Sequence, residues 1–207
     1  IALGDSALCG SATATDNTGS FNIAIGSETL KAGTSGYSNI GIGRQAGLSV
    51  SSGCKNVFVG NYSGKYVTTG VYNVAFGNGA LAGASGGSTA GCNVAIGADA
   101  TGWAVTSAFG NTALGNKAGR CLTTGDCNIF IGCRSGVNIC TGHSNIVIGT
   151  VLDLPTTNGN TQLAIGMGGT SWIGGDDSFN VTIAGIATVY SATGIVSATK
   201  YCGDGSC

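Results

Sequence analysis

The residues with the richest chemistry in this 207-residue chain are its nine cysteines and its single histidine, His143. Cys121, Cys127, Cys133 and Cys140 crowd the stretch before that histidine, and Cys and His are the ligand types of a tetrahedral zinc centre. Such centres draw on Cys-x-x-Cys pairs, and none occurs here. The nine acidic residues are few and scattered, which argues against the paired carboxylates of a glycosidase. Gly174-Gly175-Asp176-Asp177 resembles one calcium-binding solenoid unit but occurs once, and is read as a turn. Gly86-Gly87 and Gly168-Gly169 lack the lysine of a phosphate loop and are read as corners. Trp103, Tyr37, Tyr62, Tyr66 and Tyr72 are rings able to stack on sugars or to pack a subunit seam. No catalytic set emerges, so the expectation is a protein that is not an enzyme, with no cofactor and no metal.

Composition narrows the partners. Charged residues are 8% of the chain and the formal net charge is −1, which provides no electrostatic pull toward nucleic acid or an anionic membrane surface. No apolar run approaches the ~20 residues that cross a bilayer, because Gly, Ser or Thr interrupts each one. A weakly charged, apolar-leaning surface outside lipid is expected to be covered by further copies of itself. The chain opens inside a repeat unit, at Ile1-Ala2-Leu3-Gly4, and is read as a segment of a longer polypeptide.

The elements that position these residues follow from an internal repeat. The pattern Asn–aliphatic–small–aliphatic–Gly begins at Asn22, Asn39, Asn56, Asn73, Asn93, Asn111, Asn128 and Asn145, with a variant at Gln162. The closing glycines fall at 4, 26, 43, 60, 77, 97, 115, 132, 149 and 166, and six of the nine intervals are 17 residues. With Asn as position 1, positions 2 to 4 alternate like a strand. A turn follows with Ala or Ser at position 8, then a second, weaker strand such as Val67-Thr68-Thr69-Gly70. Seventeen extended residues would span ~56 Å, too long for one strand and suited to a closed coil. The expected fold is all-β: a parallel β-roll or β-solenoid of about ten coils over residues 1–169, stacked at ~4.8 Å into a rod. Residues 170–207 break the period and are read as a transition into a stem, with Asn180–Ala184 a degraded copy.

Within each coil, the branched residues at positions 2, 4 and 12 are expected to fill the interior, and the asparagines to form a corner ladder. Position 3, carrying Ala24, Gly41, Phe58, Ala75, Ala95, Ala113, Phe130, Val147 and Ala164, is expected to face outward. An uncharged outer stripe marks an interface, and the inference is a homotrimer built around it. The Ser/Thr pairs (Ser51, Thr68, Thr123) raise an ice-binding surface as an alternative. The register puts Cys121 and Cys140 about 8 Å apart on adjacent coils, beyond the roughly 7 Å limit for a disulfide. Free thiols are therefore expected over most of residues 1–169, with Cys202 and Cys207 the candidate bridge.

The Asn-x-Ala-Ile-Gly-x-x-Ala-Gly unit with Thr-Thr-Gly linkers resembles the β-roll repeats of bacteriophage tail fibres. The ending from Gly194 to Ser206 (Gly-Ile-Val-Ser-Ala-Thr-Lys-Tyr-Cys-Gly-Asp-Gly-Ser) is similar to segments that recur in the tail fibres of phages of marine cyanobacteria. The core unit is also similar to the head repeats of trimeric autotransporter adhesins, which form left-handed parallel rolls as trimers. The nine cysteines depart from both patterns. The resemblance implies a structural and attachment segment of a trimeric tail fibre, located in the virion or outside the cell. Its partners would be copies of itself and, through neighbouring domains, host surface glycans or a receptor. The alternatives are a bacterial adhesin head at the cell surface and a secreted filament subunit.

Overall fold

The structure, a computed structural model, describes residues 1–10, 18–178, 180–184 and 187–189. Among them it is all-β, thirteen strands forming one sheet in strict chain order. Strand β1 (Ala2–Leu3) is followed by β2 (Ile23–Ile25), β3 (Ile40–Ile42), β4 (Val57–Val59), β5 (Val74–Phe76), β6 (Val94–Ile96), β7 (Thr112–Leu114), β8 (Ile129–Ile131), β9 (Ile146–Thr150) and β10 (Leu163–Met167). These ten pair in parallel, each with the next. The register puts like repeat positions opposite each other, as in Ile40↔Val57 and Gly41↔Phe58. Nine coil-to-coil steps at ~4.8 Å give a rod of roughly 45 Å. The chain is a β-solenoid of about 17-residue coils.

Each coil contains one short strand, and the expected second strand does not form. Val67↔Ser88 and Gly91↔Phe109 are isolated bridges on that side, and the rest is turns and bends. The reason is backbone handedness. In the coil that starts at Asn39, Gly43, Gln45, Gly47 and Lys55 have φ of 124°, 56°, 60° and 59°. Left-handed residues alternating with ordinary ones curl the chain instead of extending it. The N–H groups still point along the rod: Gln45 donates to Ser27 of the coil before, and Gly47 to Ser63 of the coil after. The sides of the coil outside that strand are thus hydrogen-bonded along the rod without being strands. Non-glycine residues in this region cost about 1 kcal/mol each, and position 7 tolerates Gln45, Tyr62, Lys117 and Arg134. Position 5 does not tolerate a side chain. Gly60 has φ 127°, and a Cβ there would meet the Gly77 carbonyl carbon at 2.6 Å.

The core reverses the expected facing of the strand. Position 3 points into the coil: Ala24, Gly41, Phe58, Ala75, Ala95, Ala113, Phe130, Val147 and Ala164 are all buried, and none is available as an inter-subunit stripe. Positions 2 and 4 point outward, with burial patterns running intermediate, buried, exposed in Ile23–Ile25 and Ile40–Ile42. Position 12 does lie inside, at Val50, Val67, Leu122 and Ile139, alongside Ala46, Ala80 and Ala118 of position 8. Smallness at position 3 therefore marks the inside of a cramped coil. Where position 3 is Phe, position 9 becomes Gly: Cβ atoms at Gly64 and Gly136 would run into the rings of Phe58 and Phe130. Where position 9 is Leu30 or Leu81, the adjoining position 3 is Ala24, Gly41, Ala75 or Ala95. A bulky residue at one of these positions is met by small ones at the other, in its own coil and in the coil before, where Gly47 and Gly119 also make room for Phe58 and Phe130.

The roll ends at a hairpin. Gly168 and Gly169, expected as a solenoid corner, have φ of 60° and 78° and join β10 to β11 (Thr170–Gly175), with Met167 opposite Thr170. Two consecutive positive φ values are the hairpin-turn requirement. β11 runs antiparallel to β10, and β12 (Val181–Ile183) and β13 (Ala187–Val189) continue antiparallel. Asn180–Ala184 is therefore not another coil, and the antiparallel strands cover an edge that would otherwise template further pairing. The segment from Ser191 to Tyr201, Cys202 and Cys207 lie outside the described residues.

Candidate functional site

Three features stand out on the rod, and the first is structural. From Asn39 to Asn145 the repeat asparagines are buried, and their side chains bond both within the coil and to neighbouring coils. Asn56 Nδ2 donates to Gly70 O of its own coil at 2.8 Å and to Asn39 Oδ1 at 3.0 Å. Its Oδ1 accepts from the Asn73 backbone N–H and Nδ2, both at 3.0 Å. Asn22, Asn39, Asn73, Asn93, Asn111, Asn128 and Asn145 repeat the bond to their own coil. Gln162 takes over at the last rung, its N–H donating to Asn145 Oδ1. The side chain both closes its coil and staples the next, which an apolar side chain of the same size could not do because it neither donates nor accepts. The Ser/Thr hydroxyls are likewise spent between coils: Thr68 Oγ1 donates to Ser88 O at 3.0 Å and Thr123 Oγ1 to Cys140 O at 2.9 Å. An ice-facing array needs those hydroxyls free.

The cysteine cluster resolves into one disulfide. Cys121 and Cys140 are bonded, with Cα atoms 4.8 Å apart, against the expectation that they lie too far apart. That expectation assumed an extended second strand, whose residues would be offset along the chain. Instead Cys121 stands in a turn and Cys140 in a bend, and the curled backbone brings this diagonal pair within reach. Cys9, Cys54, Cys92, Cys127 and Cys133 are free. Among the described residues no three His, Cys, Asp or Glu side chains converge as a metal site would require. His143 is exposed, and its Nδ1 accepts the Asp126 backbone N–H at 3.0 Å. That bond uses the Nδ1 lone pair, so the nearby Asp126 carboxylate at 3.6 Å is not a second partner of the same atom. Phe109 N–H to Asp126 Oδ1 and His143 N–H to Asn160 Oδ1, both 2.7 Å, extend the series. His143 is one rung of a turn ladder.

The second feature is the outer face of the parallel strands. Positions 2 and 4 from β2 to β10 carry Ile, Val, Leu or Phe at every place except Thr112, and never a charge. Ile25, Ile42, Phe76, Ile96 and Ile146 are 37–42% exposed in the single chain. This is a flat, apolar, continuous strip along about nine rungs. Contiguous apolar strips of this kind are a feature of interaction surfaces.

The third is the edge built by positions 6 to 11, where the aromatic residues gather. Tyr62 and Tyr66 pack against Trp103 with ring centroids 6.1 and 6.2 Å apart. Arg44 lies 5.5 Å from the Tyr62 centroid, and Lys65 is 5.0 Å from Tyr62 and 4.9 Å from Tyr66. Tyr37 and Tyr72 belong to a separate corner, around Lys55, whose Nζ donates to the Tyr72 hydroxyl at 2.8 Å; that bond holds the Lys55 ammonium above its ordinary pKa. Glu28 is held below the usual carboxylate range by hydrogen bonds from Lys31 and then Gln45. The cations of this edge went unnoticed in the sequence; their signal is the one-coil spacing of Lys117 and Arg134. Searches against protein-family models, curated proteins and solved structures find no match to this chain.

Proposed function

We propose that this chain is a rod-forming structural and attachment segment of a trimeric viral tail fibre, non-enzymatic and working outside the cell. The observation that carries the proposal is the outward row of apolar residues at positions 2 and 4, about nine rungs long and without a charge. Ile25, Ile42, Phe76 and Ile96 side chains, half in water in a single chain, would be covered when three parallel copies bring these faces together. Full burial of such a side chain contributes about 1.5–3 kcal/mol; each is already more than half covered in the single chain, so the row contributes a fraction of that per residue, summed along the rod against the cost of association. The interface is thus the two outer columns and not the position-3 column. Coil-to-coil stapling by buried asparagines suits a segment that must stay straight under load. The Cys121–Cys140 disulfide fits an oxidising, extracellular setting.

The experiment is electron microscopy of the source particles with an antibody raised against this chain. The expected result is label along fibres projecting from virions. Label on a bacterial envelope would replace the proposal with an adhesin head, and label on free filaments alone would replace it with a secreted polymer.

A further inference from the structure

We infer that the aromatic edge of the rod holds a binding site for an anionic saccharide, carboxylated or sulfated, anchored at Trp103 and flanked by Lys117, Arg120 and Arg134. This deepens the reading of the rod as an attachment segment by naming a ligand class and a place on the shaft itself.

The site begins with a one-residue insertion. From Asn93 to Asn111 the coil is 18 residues long. Its extra residue falls between buried Thr101 and buried Val105, where Gly102, Trp103 and Ala104 stand in place of two residues. Position 9 is left-handed in the other coils too, as at Leu30 and Gly64, but here Gly102 adds a second positive φ, 46° after the 53° of Thr101, and the backbone departs from the regular coil. Gly102 is pressed so closely on the Arg120 carbonyl that a Cβ would collide with it. This stretch holds the indole over Gly79, where a Cβ would stand 3.1 Å from Trp103 Nε1. Asp99 Oδ1 accepts from that Nε1 at 3.1 Å, and Tyr62 and Tyr66 brace the ring from the side. The indole is thus fixed, yet 40% exposed. An ordered, half-open aromatic plane is the usual platform for the C–H face of a sugar ring.

Beside this plane lies a cavity of about 480 Å³, lined by Trp103 of one coil, Lys117 and Arg120 of the next, and Arg134 and Val137 of the third. Lys117 and Arg134 both occupy position 7, so their backbones are one coil apart, ~4.8 Å. Among the described residues the ion pairs are Lys31–Glu28 and the His143–Asp126 contact, so none of the three cations is paired. Two carboxylates border this stretch of the edge, and both already accept hydrogen bonds: Asp99 from Trp103 Nε1 and Asp153 from the Asn138 N–H beside Val137. Three unpaired cations held on a rigid wall attract an anion, and guanidinium groups match the two-oxygen face of a carboxylate or sulfate. On the other side of Trp103, Arg44 and Lys65 continue the edge over Tyr62 and Tyr66. Six of the eight Lys and Arg residues of the chain therefore lie along this edge, Lys31 bonded to Glu28 and the other five without an ion pair among the described residues, which suits an extended chain over a single small ion. Nucleic acid is the weaker occupant, because single strands are held by stacking successive bases on successive aromatic planes, and Trp103 alone supplies such a plane in the lining of this cavity.

The test uses the full chain carrying Trp172→Phe, which leaves Trp103 as the fluorophore. It is titrated with an oligogalacturonate, a heparin-derived hexasaccharide, maltohexaose and an oligo-dT. The expected result is a Trp103 signal with at least one acidic saccharide, weakening as salt rises and weakening at least ten-fold in the Arg120→Ala/Arg134→Ala variant. Which acidic saccharide responds identifies carboxylate or sulfate as the anion. Equal binding of maltohexaose, tighter binding of oligo-dT, an unchanged titration in the double variant, or silence with both acidic saccharides at millimolar concentration overturns the inference. Sedimentation of the same samples keeps the two readings apart. A trimer that ignores acidic saccharides sinks the site alone, and a monomer that binds them sinks the trimer alone.

Discussion

At the scale of single residues, the asparagines make the most specific prediction. Replacing Asn56 with Ala leaves the Asn73 N–H and Gly70 carbonyl without the partners described above, all in a buried setting. Orphaned buried groups cost about 1–3 kcal/mol each, so Asn56→Ala should destabilise by about 3 kcal/mol in chemical denaturation. An exposed polar swap such as Asn116→Ser should change little by the same measurement. Asp176 offers a pH-dependent counterpart. Its carboxylate accepts from Asn180 Nδ2 at 2.9 Å, and from the N–H groups of Asn180 and Ser178 at 2.9 and 3.0 Å. The Asn180 side-chain bond, then its backbone N–H, holds the carboxyl below its ordinary pKa. A depressed folded-state pKa means the stabilisation is present above the ordinary value and lost as pH falls through the folded one. The Asn180 amide resonances should therefore stay fixed from neutral pH to the ordinary carboxylate range and move only below it. Movement near neutrality would contradict the cap.

At the scale of the coil, complementarity between positions 3 and 9 is testable by exchange. Phe58→Ala alone opens a cavity and should cost about 3–5 kcal/mol. Gly64→Leu alone drives a side chain into the Phe58 ring. Together they recreate the Ala75/Leu81 pairing found in the coil that starts at Asn73. The double variant should be milder than the sum of the singles by at least about 1 kcal/mol, and strict additivity would refute the packing account. The disulfide belongs to the same scale: Cys121→Ser/Cys140→Ser should lower stability by about 2–3 kcal/mol for a loop of this length, and peptide mapping should recover the cross-link. The coil also shows what a sequence can and cannot display. The 17-residue period, the strand at positions 2 to 4 and the Asn ladder were legible because like residues recur at fixed spacing. Which strand face is inside was not, because alternation distinguishes two faces without ranking them. The larger residues were assigned to the interior by the usual rule, yet a coil this narrow accepts Ala24 or Ala95 and sends Ile25 and Ile96 out. Phe58 and Phe130 looked like exceptions to smallness until the glycines at position 9 accounted for their room. The left-handed residues at positions 7 and 17 carry no fixed residue type, from Gln45 and Tyr62 to Lys55 and Cys92, so the missing second strand and the Cys121–Cys140 contact were hidden together.

At the scale of the whole molecule, the rod is a polar-stapled solenoid with one face finished for water and one not. Its far end is closed by the β10–β13 hairpin strands, while the strip formed by positions 2 and 4 runs uncovered from β2 to β10. That asymmetry is what association in parallel would remove. Sedimentation equilibrium at micromolar concentration measures it directly, on the chain and on an Ile42→Lys/Ile96→Lys variant whose substitutions face outward and leave the coil interior untouched. The account predicts three times the 20.1 kDa chain mass for the chain, and dissociation of the variant with its β-sheet circular dichroism retained. A stable monomer with the apolar strip open to water, or a variant that associates as well as the parent, would contradict it.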